Sequence, residues 1–239
     1  LIHSKVIASY LRQLLRNDLQ YAPFRMEGME QDVREMMEID TPQGKLALQI
    51  GGTIDRLDSK GDTLRIVDYK TGGTPKTPEN IEQLFTPADN RPNYIFQTFL
   101  YAAILCRKQS LKVAPSLLYI HRAASESYSP VIEMGAPRQP KVPVNNFAFF
   151  EDEFRERLHG LLQEIFSQEE TFSQTEDTRK CEYCDFRSLC KREKNRPSGH
   201  KKQMVCTTVT DGLFESDGWS VLLQRTIRSI FFVITSSPE

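Results

Sequence analysis

Apolar and β-branched residues recur towards every second position across residues 46–57, and do so again across residues 64–69. Period two belongs to a strand, whose successive side chains point to opposite faces. Between the runs, Ser59, Lys60, Gly61 and Asp62 supply turn chemistry, so the two runs predict a hairpin. Elsewhere the period changes. Val6, Ile7, Tyr10, Leu11, Leu14, Leu15 and Leu19 fall at i, i+3, i+4 spacing and predict an amphipathic helix over residues 6–19, ended by Pro23. Residues 24–38 predict a strand leading into the sheet, and Gln43-Gly44 a turn. Residues 93–107 predict a helix with Ile95, Phe96, Phe99, Leu100, Ala103 and Ile104 on its apolar face. Residues 116–121 predict a strand apolar enough to be central. Residues 123–146, with four prolines, predict a β excursion or a long loop, and residues 149–168 an amphipathic helix whose charged side faces water.

The 239 residues suffice for one large domain or two small ones. After Lys194 the character changes to a polar linker and then the apolar run 230–234. The expected division is therefore a domain over residues 1–194 and a tail of unknown role over residues 195–239, either an appended strand or a segment foreign to the domain. A net charge of −1 gives no global basic field that would advertise nucleic acid, although a local basic groove beside an acidic site would average out. No run of about 18 apolar residues occurs, so no membrane span is expected. No secretion signal is visible and the chain starts at Leu1 rather than Met, which predicts a fragment whose N-terminal part is missing. Three of the five cysteines cluster within ten residues, which without a secretion signal favours metal over disulfides.

The predicted hairpin carries the chemistry. Residues two apart on a strand share a face, so Asp68 and Lys70 point together and Asp55 can reach them from the adjacent strand. Two carboxylates with a lysine at one sheet edge suit a hard cation holding a phosphate, because Mg²⁺ takes one or two carboxylates and keeps waters and substrate oxygens as its other ligands. The lysine can position or activate an attacking water, or offset charge on phosphate oxygens. An Asp-x-Lys step alone is common on strands. The longer string is not. Gly52-Thr53-Ile54-Asp55-Arg56-Leu57-Asp58, a short turn, then Val67-Asp68-Tyr69-Lys70-Thr71-Gly72 resembles the nuclease domain of the PD-(D/E)XK superfamily in its RecB/AddB branch, over roughly residues 25–192.

The resemblance implies a restriction-endonuclease-like α/β fold, a mixed β-sheet flanked by helices. It also implies hydrolysis of DNA phosphodiester bonds with Mg²⁺ or Mn²⁺. In it Asp55, Asp68 and the carbonyl of Tyr69 hold the metal and Lys70 assists the water. Gln97 and Tyr101, four apart and so on one helix face, match the branch's Gln-x-x-x-Tyr pair, which lies near the active site and contacts DNA. Glu30 stands where the family often has a Glu, in a structural role or behind the metal ligands. In the loop 72–78, Lys76 offers a phosphate contact or is simply solvated. The family's first metal ligand is a His or Glu on an early helix; His3 matches it faintly, and the residue is expected upstream of Leu1. The parent so implied is an AddB-like exonuclease subunit of a cytoplasmic helicase–nuclease with a partner subunit, acting in double-strand-break repair and recombination. A catalytically inactive DNA-binding module of the same fold is the reading from a different class. The discriminator is whether Asp55 and Asp68 bind metal, and the first requirement is that they lie on one face of the sheet.

Cys181, Cys184 and Cys190, spaced x₂ and x₅, supply three of the four ligands that a tetrahedral site needs, and their sulfurs are expected to converge. AddB-like nucleases and a CRISPR-adaptation nuclease family share this group, completed by a cysteine far upstream into a 4Fe-4S cluster. The resemblance therefore implies such a cluster, incomplete in this chain. Zinc and three free thiols are the alternatives, and a CRISPR-adaptation-type nuclease is the third reading of the whole chain. Cys106 reads as a small buried hydrophobe and His121 as a polar cap at a strand end.

Overall fold

The computed structural model describes residues 2–88, 91–125, 127–166, most of 178–192 and the strand at 231–234. The chain forms two compact units, Leu1–Ile165 with Trp219–Glu239, and Phe166–Gly218. Among the described residues no helix is long and apolar enough to cross a membrane.

The first unit is a mixed sheet between helices. Helix α1 (Ile2–Tyr21) leads into strand β1 (Arg25–Thr41), which pairs antiparallel with β2 (Gly44–Lys60) from Arg25↔Ser59 to Thr41↔Gly44. Strand β3 (Thr63–Lys70) pairs antiparallel with β2, but only from Lys60↔Thr63 to Arg56↔Val67. The single-turn helix α2 (Glu82–Phe85) and the longer α3 (Asn93–Cys106) follow, then β4 (Lys112–Tyr119), parallel to β3. A parallel neighbour needs a crossover, and α3 provides it. The two-residue strands β5 (Glu133–Met134) and β6 (Val142–Pro143) pair with each other, and α4 (Ala148–Phe166) closes the order. The strand order β1-β2-β3-β4 gives the mixed sheet flanked by helices that the sequence motifs imply. In the tail, β7 (Phe231–Ile234) pairs antiparallel with β2 over Leu48–Gly51, so the apolar run is an appended strand.

Helix α3 is apolar almost all round because it is covered all round. Every residue from Ile95 to Leu105 is buried. One side packs on the sheet. The other meets α2 and α4 through aromatic rings: Phe96 and Phe154 lie 5.5 Å apart, Phe99 and Phe147 4.9 Å, Phe85 and Phe96 5.0 Å. Arg155 of α4 ties this layer down, donating to both oxygens of Glu35 on β1 at 3.0 and 2.9 Å and to the carbonyl of Ala103 at 2.5 Å.

Two sequence expectations need correction. Strand β4 is not central; it ends the sheet. Its apolar character reflects cover on both faces, and its free edge is plugged. The Leu117 amide donates to the Pro130 carbonyl at 2.9 Å, while the Tyr128 hydroxyl accepts from the Tyr119 amide at 2.8 Å and donates to the Leu117 carbonyl at 2.9 Å. The period of α1 is helical as expected, but the buried stripe is narrower. Tyr10 and Leu14 pack against Val67, Leu118, Ile120 and Ala123, whereas Ile7, Leu11, Leu15 and Leu19 are exposed.

What fastens α1 is ionic. Asp58 is wholly buried between two arginines; Arg56 Nε donates to Oδ2 at 2.9 Å, and Arg65 Nε and Nη2 donate to Oδ1 and Oδ2 at 2.9 and 2.8 Å. Arg56 Nη1 reaches both oxygens of Asp18 on α1 at 2.9 and 2.8 Å. The Arg65 guanidinium lies 3.5 Å from the centroid of the Tyr21 ring at the end of that helix. Asp58→Ala strands two buried cations without their shared counter-charge and is expected to destabilise the fold by about 3–5 kcal/mol. Leu11→Ala, on the exposed stripe of α1, is expected to change stability by less than about 0.5 kcal/mol. Urea unfolding at pH 7 distinguishes the two.

Candidate active site

The β2–β3 ladder ends at Arg56↔Val67. One step further along the same register puts Asp55 opposite Asp68, and there the strands part. The Tyr69 amide, released from the ladder, donates to Asp55 Oδ2 at 2.7 Å. Residues opposite one another in an antiparallel pair share a face, so the two acids lie together and not on opposite sides of the sheet. On that edge of β2, residues 52–55 fall between the stretch paired to β3 and the stretch paired to β7, which leaves the acids at an opening in the ladder.

Asp68 is 3 % exposed, and its Oδ2 has no hydrogen bond. Lys70 Nζ lies 2.5 Å from that oxygen, an ion pair by distance that falls outside hydrogen-bond geometry. Burial pushes the Asp68 carboxyl up to about 6, against the pull of Lys70, and the charge of Asp55 adds to the rise. A carboxylate oxygen can accept from more than one partner, so the pairing with Lys70 leaves Oδ2 able to take a cation as well. Two neighbouring carboxylates at an open sheet edge form a hard-oxygen donor set that fits Mg²⁺ or Mn²⁺.

Helix α3 supplies the far wall. Lys70 Nζ lies 3.4 Å from Gln97 Oε1, and Gln97 Nε2 donates to the Tyr101 hydroxyl at 2.9 Å. That hydroxyl fits only because residue 52 is glycine: a Cβ there would stand 2.6 Å from it. Burial raises the Tyr101 phenol, with the charges of Asp68 and Asp55 adding to the rise, so it stays a neutral donor and acceptor. The structure thus brings Asp55, Asp68, Lys70, Gln97 and Tyr101 together. It adds two residues that the sequence reasoning missed. The Tyr94 ring centroid lies 4.3 Å from Lys70 Nζ, and Tyr119, opposite Lys70 in the β4 register, is pushed up to about 12 chiefly by burial. Tyr94 was findable, since it stands three residues before Gln97 and so on the same helix face.

Other candidates lie elsewhere. Tyr69 turns its side chain away, accepting from Arg56 Nη1 at 3.1 Å, so its part in the site is backbone alone. Glu30 is exposed with φ 48°, level with Asp55 on β1 since Met29↔Arg56 and Gln31↔Ile54 flank it. Lys76 donates to the Arg91 carbonyl at 3.1 Å, and His121 is exposed in a turn after β4. His3 falls in α1, but its side chain lies outside the described residues. Cys106 is half-buried on α3, and burial pushes its thiol up to about 11. A cavity of about 390 Å³ lined by Asn17, Tyr21, Lys60, Arg65 and Ser116 contains none of these acids.

The cysteine expectation is not met. Within the second unit, Cys181 ends a short 3-10 turn, the Cys184 amide donates to the Cys181 carbonyl at 3.3 Å, and the Arg187 amide donates to the Cys184 carbonyl at 3.1 Å. Among the described residues no three His, Cys, Asp or Glu side chains gather to hold a metal ion. Backbone carbonyls close these turns. Cys181, Cys184 and Cys190 as placed do not fit a 4Fe-4S cluster or a zinc ion.

Two expected outcomes test the site. Because the Asp68 pKa is raised by folding, its contribution to stability is present below the unfolded value and lost as pH rises through about 6. Asp68→Asn is therefore expected to stabilise the metal-free protein by about 1–2 kcal/mol at pH 8, after allowance for the lost pairing with Lys70, with the gain vanishing near pH ~4. Urea unfolding at both pH values measures it. Gly52→Ala is expected to cost about 1–3 kcal/mol by overpacking against Tyr101, read as a lowered melting temperature.

Comparison with curated proteins and with solved structures gave no match. The model of a protein family described as the PD-(D/E)XK nuclease superfamily matches residues 2–191, a span that contains the acid pair, the lysine and all of α3. Its extent and the geometry of the β2–β3 edge lead to one conclusion: the chain belongs to the PD-(D/E)XK nuclease superfamily.

Proposed function

We propose that this domain hydrolyses phosphodiester bonds of DNA, with Mg²⁺ or Mn²⁺ held by Asp55, Asp68 and the carbonyl of Tyr69. The observation that carries the reading is the buried Asp68 carboxylate with Asp55 beside it and Lys70 Nζ 2.5 Å from its Oδ2. A bound divalent ion supplies charge against the phosphate oxygens and acidifies a water. The chain's own groups do the rest. Lys70 positions the attacking water or offsets charge that builds on the phosphate. Gln97 and Tyr101, already hydrogen-bonded to each other on a rigid buried helix, steady the strand without needing to reorganise. No step uses the cysteines.

The finer reading is an exonuclease of the RecB/AddB branch, the nuclease part of a cytoplasmic helicase–nuclease that works with a partner subunit in double-strand-break repair and recombination. It draws on the Gly52–Asp58 and Val67–Gly72 strings and on the Gln97/Tyr101 pair. A second reading, a non-catalytic DNA-binding module, draws on the acid pair's lacking a third acidic, His or Cys side chain among the described residues. Lys70→Ala separates the two. Under the catalytic reading it is expected to lower the cleavage rate of a linear DNA by about 100-fold or more, with DNA affinity changed by less than about threefold, because the lysine acts more on the transition state than on the bound substrate. Cleavage assays with Mg²⁺ or Mn²⁺, beside fluorescence-anisotropy titrations, measure both. Binding without cleavage by the unmutated chain would favour the second reading.

A further inference from the structure

We propose that Tyr94 is a positioning residue for Lys70, holding the ammonium on the face of its ring; the inference rests on the nuclease reading above. Lys70 Nζ has three neighbours: Asp68 Oδ2 at 2.5 Å, Gln97 Oε1 at 3.4 Å and the Tyr94 ring centroid at 4.3 Å. The first is the strongest and the least dependable. Asp68 is also the metal-binding oxygen, so whenever it serves a cation the lysine loses most of its counter-charge and gains a like charge nearby. A flexible four-carbon side chain then swings away unless something else holds it. A second carboxylate could hold it, but would compete for the cation. A ring face attracts the ammonium through its quadrupole and does not compete for the cation as a carboxylate would.

The surroundings keep that ring in place. Tyr94 sits in the first turn of α3, on the stripe that carries Gln97 and Tyr101. Thr98 Oγ1 donates to the Tyr94 carbonyl at 2.8 Å, which braces the turn. Gly73, in the left-handed region at φ 82°, brings the loop after Lys70 over the ring: a Cβ there would lie 3.5 Å from Tyr94 Cε2 and 3.8 Å from Tyr119 Cε1. Yet Tyr94 is 41 % exposed while residues 95–105 of the same helix are buried. It adds little to the core, so its replacement perturbs the lysine more than the fold.

The test is a series, Tyr94→Phe, Tyr94→Trp, Tyr94→Leu and Tyr94→Ala, with two readouts. In the intact chain carrying ¹³C-lysine, the CεH₂ protons of Lys70, assigned by their loss in Lys70→Arg, are expected to be shifted upfield by the ring current. The shift should persist in the Phe and Trp variants and disappear in Leu and Ala. In single-turnover cleavage of linear DNA with Mg²⁺, the Leu and Ala variants are expected to be slower by about fivefold, with DNA affinity unchanged and Phe close to the unmutated rate. Leucine fills the space without the quadrupole, so a Leu variant as fast as the unmutated chain overturns the proposal, as does a Lys70 shift that ignores the ring. If the chain cleaves nothing, the nuclease reading fails separately, and the Lys70 shift still decides whether Tyr94 holds the lysine.

Discussion

The site depends on the place where the β2–β3 ladder stops. Pairing ends at Arg56↔Val67, and the next residues along the same register are Asp55 and Asp68. Had the ladder continued, the Tyr69 amide would serve a backbone partner. Because it stops, that amide is free to fix the Asp55 carboxylate at 2.7 Å, and the sheet opens beside the two acids. A shift of one residue in this register would turn one acid to the far face.

The register is held by charges on the other side of the same strands. Along β2 the side chains alternate, so Asp55 faces the site while Arg56 and Asp58 face α1. There Asp58 binds Arg56 and Arg65, one from each strand of the hairpin, and Arg56 binds Asp18 of α1. Such a buried network adds little net stability over an apolar one. Its directional bonds, however, tie β2, β3 and α1 into one arrangement. The Asp-Arg-x-Asp string is thus two devices in one: the first acid belongs to the proposed metal site, and the arginine and second acid to the scaffold that aims it.

The acid pair works against stability. Asp68 is ionised at neutral pH in a place that raises its pKa to about 6, and its outer oxygen goes without a hydrogen bond. The surroundings absorb this because α3 is held between the sheet and the Phe96–Phe99–Phe147–Phe154 cluster, and Arg155 ties α4 to β1 and α3. Gln97, Tyr101 and Tyr94 therefore project from a rigid base, which is where precise placement of polar groups is cheapest.

Much of this was legible in the sequence, and for definite reasons. Strand and helix periods, the hairpin turn and the two motif strings are local, and local spacing determines which side chains share a face. That sufficed to place Asp68 with Lys70 and Gln97 with Tyr101, while the mixed α/β architecture followed from the resemblance that the two strings carry. What depended on long-range packing was not legible. The apolar run of β4 signals burial on both faces and cannot say whether a strand or a loop with Tyr128 covers its edge. The apolar period of α1 is helical, yet Ile7, Leu11, Leu15 and Leu19 are exposed, because only Tyr10 and Leu14 reach the core and Asp18 with the arginines fastens the rest of that helix. The spacing of Cys181, Cys184 and Cys190 permits a shared ion, but spacing does not bring weakly bonding thiols together. Tyr94 joined the site only in three dimensions: its helix crosses over the end of β3, and the contact that matters is made through space to Lys70, 24 residues earlier in the chain.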